Sequence, residues 1–317
     1  MSFHIPETLV GWPWSRQLNP YYMEVGTASS LWLRSFNVLD VKAQRAFDLC
    51  DVDVLRACCD LMMLLFIYDE LSDCEKGSVV QEQAISIMGA LRNPGTQRPG
   101  GESILGEISR QFWSRTVECA KASILTQERF IKAFDAYTSS VTIEAMDRDA
   151  NTIRDIESYL VVRRNTIAAY PCFVFLELGM SLPEDVLEDP VIRELKSYIA
   201  DIIIISNDIC SYNVEQARGD THNILTVAMH ELGTDLDGAL TWASEYSNTL
   251  EKQFIMAMKQ VRSWGDSIDK DVMCYVSGLG NCARANDAWN FESQRYFGKE
   301  GLAVQRHRKV VLLPRKA

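Results

Sequence analysis

Apolar residues recur every three or four positions along most of the chain, whereas runs that alternate apolar and polar residues between turns are nearly absent. The first spacing is the period of an amphipathic helix, and alternation is the period of a strand. After Thr126, the residues Phe130, Phe134, Tyr137 and Val141 form one apolar stripe at helical spacing. The pattern therefore predicts an all-α fold in which helices pack on helices.

Capping residues and prolines place the ends of several helices. The predicted helix starts are Asn19-Pro20, Asp51, Ser78, Thr126 and Asp189-Pro190. No proline lies between Pro190 and Pro314, so this span is long enough for several uninterrupted helices.

The chain shows no internal repeat and no low-complexity linker. Residues 1–317 are therefore predicted to form a single domain. Prolines in the first twenty residues indicate an extended N-terminal arm over residues 1–18. Basic residues are frequent from Lys299 onward, and residues 299–317 are predicted to be a mobile C-terminal tail.

Composition and charge exclude several classes of function. The 317 residues are 47% hydrophobic, which is enough for a full-sized core, and the formal net charge is −11. A nucleic-acid partner is not expected, because proteins that bind a phosphate backbone usually carry a basic face. Without a signal-like start or a long apolar segment, we expect a cytoplasmic protein with no membrane span, either a monomer or a homodimer.

A first group of acidic residues follows an apolar run. Residues 61–68 are all apolar, and Asp69, Glu70 and Asp73 come directly after them. Asp69 and Asp73 are four apart and therefore share a helical face. Carboxylates at a helix C-terminus are disfavoured unless a cation is present, and Mg²⁺ prefers oxygen ligands. The alternative is a solvated acidic helix end, which is common on protein surfaces.

A second polar stripe follows another apolar run, residues 202–205. Asn207, Ser211 and Glu215 are spaced at four and four, so their amide, hydroxyl and carboxylate oxygens project from one face of a helix. Three such donors can chelate one octahedral ion. Asp208 lies about 100° off this stripe and is expected to support the ligands instead of ligating.

The two segments carry a resemblance to a known family. Residues 69–73, DELSD, resemble the aspartate-rich motif of class I terpene synthases, and residues 207–215, NDICSYNVE, are similar to their N-D-x-x-S-x-x-x-E motif. The resemblance covers nearly the whole chain and is strongest to fungal (basidiomycete) sesquiterpene synthases, a group that includes the Δ6-protoilludene synthase type. It implies a single-domain helical bundle with a central apolar active-site cavity.

The resemblance also implies a ligand set for three Mg²⁺ ions. By this similarity Asp69 ligates two of the ions, and Asn207, Ser211 and Glu215 hold the third. Asp73 and Glu70 are secondary candidates. Relatives often carry a lysine just before the glutamate of the second motif, where this chain has Val214, and Arg218 is a candidate replacement.

Two arginine segments resemble the diphosphate-binding residues of the family. In residues 163–168, RRNTIA, the resemblance makes Arg164 the diphosphate sensor, Ile167 a linker and Ala168 the effector position, although the usual glycine is absent. Pro171 independently predicts a helix break nearby. From the residues alone, a surface arginine pair beside a kink is an equal alternative. Arg295 and Tyr296 resemble the R-Y pair that closes over the diphosphate.

The implied activity is that of a carbon–oxygen lyase. The enzyme would ionise (2E,6E)-farnesyl diphosphate and cyclise the carbocation to a hydrocarbon with release of diphosphate, with Δ6-protoilludene through 1,11-closure and a humulyl cation as the expected product. Met62, Phe66 and Trp289 are candidate pocket residues, since a cation must be kept from water. The alternatives are a chain-elongating prenyl transferase and a non-catalytic helical scaffold.

Overall fold

The computed structural model describes residues 2–17, 19, 22–36, 53–120 and 122–315. The described residues form thirteen α-helices, one 3₁₀ helix and two short strands, which confirms the predicted all-α class. In chain order the elements are β1 Ser2–His4, α1 Tyr22–Arg34, α2 Asp53–Ser72, α3 Gly77–Arg92, α4 Ile104–Cys119, α5 Ile124–Asp149, α6 Ile156–Thr166, α7 Ala169–Phe175, α8 Glu184–Leu187, α9 Pro190–Arg218, α10 Ile224–Leu232, α11 Leu236–Met258, α12 Asp266–Glu292, the 3₁₀ helix Gly298–Glu300, α13 Gly301–His307 and β2 Lys309–Val311.

The chain divides into two compact units. The amino-terminal unit comprises residues 18–150 and 170–180, and the carboxyl-terminal unit comprises residues 1–17, 151–169 and 181–317. Each unit is helical. The expectation of a single domain over residues 1–317 stays a prediction.

The core of the amino-terminal unit is built on α5. Its predicted stripe is buried, with exposed fractions of 0% for Phe130 and Phe134, 3% for Tyr137 and 8% for Val141. Trp113 from α4 stacks on Phe130 with ring centroids 4.4 Å apart, so aromatic contacts join the two helices.

Local capping explains where the predicted helix starts were accurate and where they were not. The Asp189 carboxylate accepts a hydrogen bond from the Val191 amide and Pro190 is the first helical residue, as predicted. Helix α5 instead begins two residues before Thr126, because the Ser123 hydroxyl accepts a hydrogen bond from the Thr126 amide.

Two kinds of discrepancy remain among the helix starts. Helix α3 begins at Gly77 and not at Ser78, because the distant Asp149 carboxylate accepts a hydrogen bond from the Gly77 amide and replaces a local cap. Pro20 and Asp51 lie outside the described residues.

Helix α9 is central to the carboxyl-terminal unit, where α11 and α12 pack against it. Residues 202–205 are buried, as expected for a helix covered by neighbours. The helix ends at Arg218 and is followed by Gly219, whose φ of +86° is accessible to glycine without strain.

The described part of the C-terminal segment, residues 299–315, contains regular secondary structure, and the mobile tail over residues 299–317 stays a prediction. It contains α13 and β2, and β2 pairs antiparallel with β1 from the N-terminal arm. Val304 and Val310 are buried together with Phe3 of the arm. Burial of these apolar side chains packs the described part of the segment against the N-terminal arm.

Membrane topology was also part of the sequence predictions. Among the described helices, none combines the length and the apolar character needed to span a membrane. The expected cytoplasmic location and the monomer or homodimer state stay predictions.

Candidate active site

The second polar stripe lies on α9, directly after its buried apolar run. Asn207, Ser211 and Glu215 stand one helical turn apart on this uninterrupted helix, so they share a face as predicted. Ser211 is buried, whereas Asn207 and Glu215 are half-buried. The stripe is therefore a row of potential oxygen ligands whose middle residue is buried and whose outer two residues are partly accessible.

Two side chains fix the orientation of the Asn207 amide. Its Oδ1 accepts a hydrogen bond from Arg163 Nη2 at 2.8 Å, and its Nδ2 donates to the Tyr296 hydroxyl at 2.8 Å. Arg163 also donates from Nε and Nη2 to Asp208 Oδ1, at 3.2 and 2.8 Å. The guanidinium therefore bridges the first two residues of the motif.

Asp208 is the fully buried support of this arrangement. In addition to Arg163, it accepts hydrogen bonds at Oδ2 from the Tyr159 hydroxyl and from the Ile224 amide. Burial, together with the adjacent Asp208 carboxylate, holds the pKa of Tyr159 well above its usual value, so the phenol remains a donor. These bonds agree with the supporting role that helical geometry predicted for Asp208.

Glu215 lies in surroundings that disfavour its charge. Burial, followed by the nearby carboxylates of Asp208 and Asp220, raises the pKa of Glu215 to about 8, although a hydrogen bond from Asn223 acts in the opposite direction. A cation at this position would relieve the repulsion. The donor types and this electrostatic environment therefore fit a hard divalent ion.

No group of three His, Cys, Asp or Glu side chains that could hold a metal ion occurs within the described ranges. The stripe on α9 contains one residue of these types, Glu215. Its capacity to bind a metal therefore depends on the amide oxygen of Asn207 and the hydroxyl of Ser211.

The other arginine of the pair has a different partner. Arg164 forms a two-pronged ion pair with the buried Asp201, from Nε to Oδ1 at 2.7 Å and from Nη2 to Oδ2 at 2.8 Å. The Tyr246 hydroxyl also donates to Asp201 Oδ2 at 3.1 Å. Arg163 therefore contacts the polar stripe and Arg164 contacts Asp201, and the sensor role of Arg164 stays a prediction.

The helix break after the arginine pair is present. Helix α6 ends at Thr166 and α7 begins at Ala169, while Ala168 between them has a φ of +58°. An alanine in this left-handed region is strained by roughly 1–2 kcal/mol. The break lies at Ala168, three residues before Pro171, whereas Tyr170 and Pro171 lie in the first turn of α7, so the expectation that Pro171 itself interrupts the helix is wrong. The effector role of Ala168 and the linker role of Ile167 stay predictions.

Trp289 and Tyr296 are in ring contact although they lie on different segments of the chain. Helix α12 ends at Glu292, and Gln294 adopts a φ of +62°, so the two aromatic residues do not share a helix. The turn brings their rings edge to face, with centroids 6.0 Å apart. Arg295 is half-buried in the same turn, and its role as a diphosphate ligand stays a prediction.

The first acidic segment lies at the C-terminal end of α2, as predicted. Asp69 and Glu70 are in its last turn, and the Asp73 amide donates to the Asp69 carbonyl at 3.0 Å. Arg148 donates to the carbonyls of Ser72 and Glu75 at 2.7 and 3.0 Å, so a cation compensates the negative helix end.

One face of α2 near this acidic end is less buried than the others. Met62 is 37% exposed and Phe66 is half-buried, whereas Leu65 is buried. Within α9, Val214 is half-buried and Arg218 is exposed in the last turn. The pocket roles of Met62, Phe66 and Trp289 and the substitution of lysine by Arg218 stay predictions.

Three residues of this arrangement were not identified from the sequence: Arg163, Tyr159 and Asn223. Tyr159 and Arg163 are four apart on α6 and therefore share a face, which is a detectable signal. Asn223 could be recognised as a helix cap. Its contacts with the stripe depend on how α10 packs and have no local signature.

Comparison with known proteins agrees with the two motifs. The family described as "Terpene synthase family 2, C-terminal metal binding" matches residues 60–253. A Δ6-protoilludene synthase of Armillaria gallica is 47% identical and covers 98% of this chain and 94% of that protein. A protein of the same name from Stereum hirsutum is 45% identical over 99% of this chain and 88% of its own length.

Solved structures with the same fold are more distant in sequence. The linalool/nerolidol synthase of Streptomyces clavuligerus aligns with a TM-score of 0.77 at 16% identity, over 88% of this chain and 98% of that chain. The germacradien-4-ol synthase of Streptomyces citricolor aligns with a TM-score of 0.76 at 19% identity, over 90% and 98%. These likenesses establish the fold of the chain.

Proposed function

The chain belongs to the terpene synthase family, and we propose that it converts (2E,6E)-farnesyl diphosphate into a cyclic sesquiterpene hydrocarbon with release of diphosphate. The observation that carries the proposal is the row of Asn207, Ser211 and Glu215 on α9, held by Arg163 and Asn223. Such oxygen donors suit a divalent cation better than they suit a nucleophilic or a proton-transfer mechanism.

The residues divide into ligands and anion-binding groups. Asp69, with Asp73 as a secondary ligand, and Asn207, Ser211 and Glu215 would hold three Mg²⁺ ions. When bound, these ions supply Lewis-acid stabilisation of the leaving diphosphate. Arg164, Arg295 and Tyr296 would donate hydrogen bonds to the diphosphate oxygens, because guanidinium and phenol groups match those acceptors.

No protein nucleophile is needed in this mechanism. Negative charge gathers on the leaving group as the C–O bond breaks, and the chain's donors stabilise it. The allylic cation that remains must be shielded from water, for which Met62, Phe66 and Trp289 are the proposed apolar surface. Pocket shape then determines which carbon atoms bond.

The proposed product is Δ6-protoilludene, formed by 1,11-closure through a humulyl cation. Relatives from Armillaria, Stereum and Postia that are 43–47% identical to this chain bear that product in their names. Gas chromatography with mass detection against an authentic standard is expected to give this hydrocarbon as the main product. Addition of isopentenyl diphosphate is expected to change nothing, whereas formation of a longer prenyl diphosphate would establish the elongating alternative.

Metal binding is expected to depend on pH through Glu215. Because the pKa of Glu215 is raised to about 8, its carboxyl group is mostly protonated at pH 7, and a metal ion must displace that proton. Between pH 6 and 8 the apparent Mg²⁺ affinity should therefore rise with pH, by up to about tenfold per unit, and then level off.

Titration calorimetry of Mg²⁺ binding in buffers with different ionisation enthalpies measures this effect. At pH 7 close to one proton should be released for the ion held by Glu215. A Mg²⁺ affinity that is constant over this pH range, with no proton release, would remove Glu215 from the ligand set.

A further inference from the structure

Asn223 lies directly between the polar stripe and the next helix. It is fully buried, and its Oδ1 accepts a hydrogen bond from the Leu225 amide at 2.9 Å, which caps α10. Its Nδ2 donates to Glu215 Oε2 and to the Asp208 carbonyl, both at 2.8 Å, and lies 3.4 Å from Ser211 Oγ. The Asn223 side chain thus caps α10 with its oxygen and contacts two proposed metal ligands with its nitrogen.

Capping of α10 alone does not explain why residue 223 carries an amide nitrogen. A serine, threonine or aspartate oxygen caps a helix about as well as asparagine does. The Nδ2 group, by contrast, faces only acceptors: a carboxylate, a carbonyl and a hydroxyl oxygen. An aspartate in this place would bring another carboxylate against Glu215 and Asp208, which already repel each other.

We propose that Asn223 is a positioning residue for the metal site: its Nδ2 group holds Oε2 of Glu215 and orients Ser211, and so determines which Glu215 oxygen is available to a cation. The inference rests on the proposed function, in which Glu215 and Ser211 are ligands. Residues that orient metal ligands by hydrogen bonds commonly contribute 10–100-fold to metal affinity. The cap on α10 ties this contribution to the packing of a second helix.

Asn223→Ser and Asn223→Thr separate the two roles, because both side chains keep a capping oxygen and lose the amide nitrogen. The expected result is a rise of about 10–100-fold in the Mg²⁺ concentration for half-maximal turnover. The thermal stabilisation of the substrate-free protein by Mg²⁺ with inorganic pyrophosphate should shift to higher Mg²⁺ by a similar factor. Asp235→Ala is the control, because it removes the cap of α11 without touching the stripe.

Two results distinguish the failure of this inference from failure of the proposed function. If the wild-type protein is not stabilised by Mg²⁺ with pyrophosphate and forms no hydrocarbon, the proposed function is wrong. If the wild type responds and either folded variant keeps its Mg²⁺ dependence within about twofold of the wild type, Asn223 is only a cap. If Asp235→Ala raises the Mg²⁺ concentration for half-maximal turnover by a similar factor, the effect of the Asn223 variants reflects general destabilisation of helix ends and not the positioning of Glu215.

Discussion

Replacement of Glu215 by glutamine is expected to lower kcat/KM for farnesyl diphosphate by about 100-fold or more while the protein remains folded. The substitution removes a metal ligand and its negative charge from the stripe on α9, and losses of this size are typical when one such electrostatic contact is removed. Stability should change little, because the raised pKa already keeps the Glu215 carboxyl largely neutral at pH 7. The glutamine Oε1 can still accept the hydrogen bond from Asn223.

Steady-state kinetics at saturating Mg²⁺ and thermal unfolding of the metal-free protein measure these two effects. Glu245→Gln is the matched control, since Glu245 is an exposed glutamate on α11 of the same unit and should leave turnover unchanged. If Glu215→Gln turns over at a rate close to that of the wild type, Glu215 is not a metal ligand required for catalysis.

Asp69→Asn is expected to reduce turnover by a similar factor, about 100-fold or more, through loss of the first ligand group. The same change should stabilise the metal-free protein slightly, by about 0.5 kcal/mol, because a carboxylate at the C-terminal end of α2 is unfavourable there. A gain in stability accompanied by loss of activity is the expected behaviour of a residue retained for function.

The neighbouring Glu70, a secondary ligand candidate, tests whether the position of the carboxylate matters. It lies in the same helical turn and is equally half-buried, but it points about 100° away from the Asp69 direction. Glu70→Gln should therefore retain most activity and gain a comparable stability. Equal losses in the two variants would mean that the acidic segment acts only through its total charge.

Features encoded by local spacing were predictable from the sequence. The stripe of α5, the cap at Asp189 and the alignment of Asn207, Ser211 and Glu215 follow from helical period and capping chemistry, which involve neighbours a few residues apart. Features that depend on residues far apart in the sequence were not predictable. The Gly77 start depends on Asp149, 72 residues away, and the pairing of β1 with β2 joins the two ends of the chain.

The arginine pair shows the same limit at the site itself. Arg163 and Arg164 are adjacent, and the sequence alone does not indicate which of the two side chains meets the stripe. Which guanidinium reaches the stripe depends on how α6 lies against α9, where Arg163 meets Asp208 and Arg164 meets Asp201. A step of one residue turns a side chain by about 100° on a helix, so only the packed structure distinguishes the two.

Gas chromatography with mass detection on the purified wild-type protein, given farnesyl diphosphate with Mg²⁺ or with a chelator, tests the central claim most directly. The account predicts a volatile cyclic C15 hydrocarbon with Mg²⁺ and none with the chelator. A purified, folded protein that releases no hydrocarbon in Mg²⁺, or that releases it equally after chelation, would contradict the account.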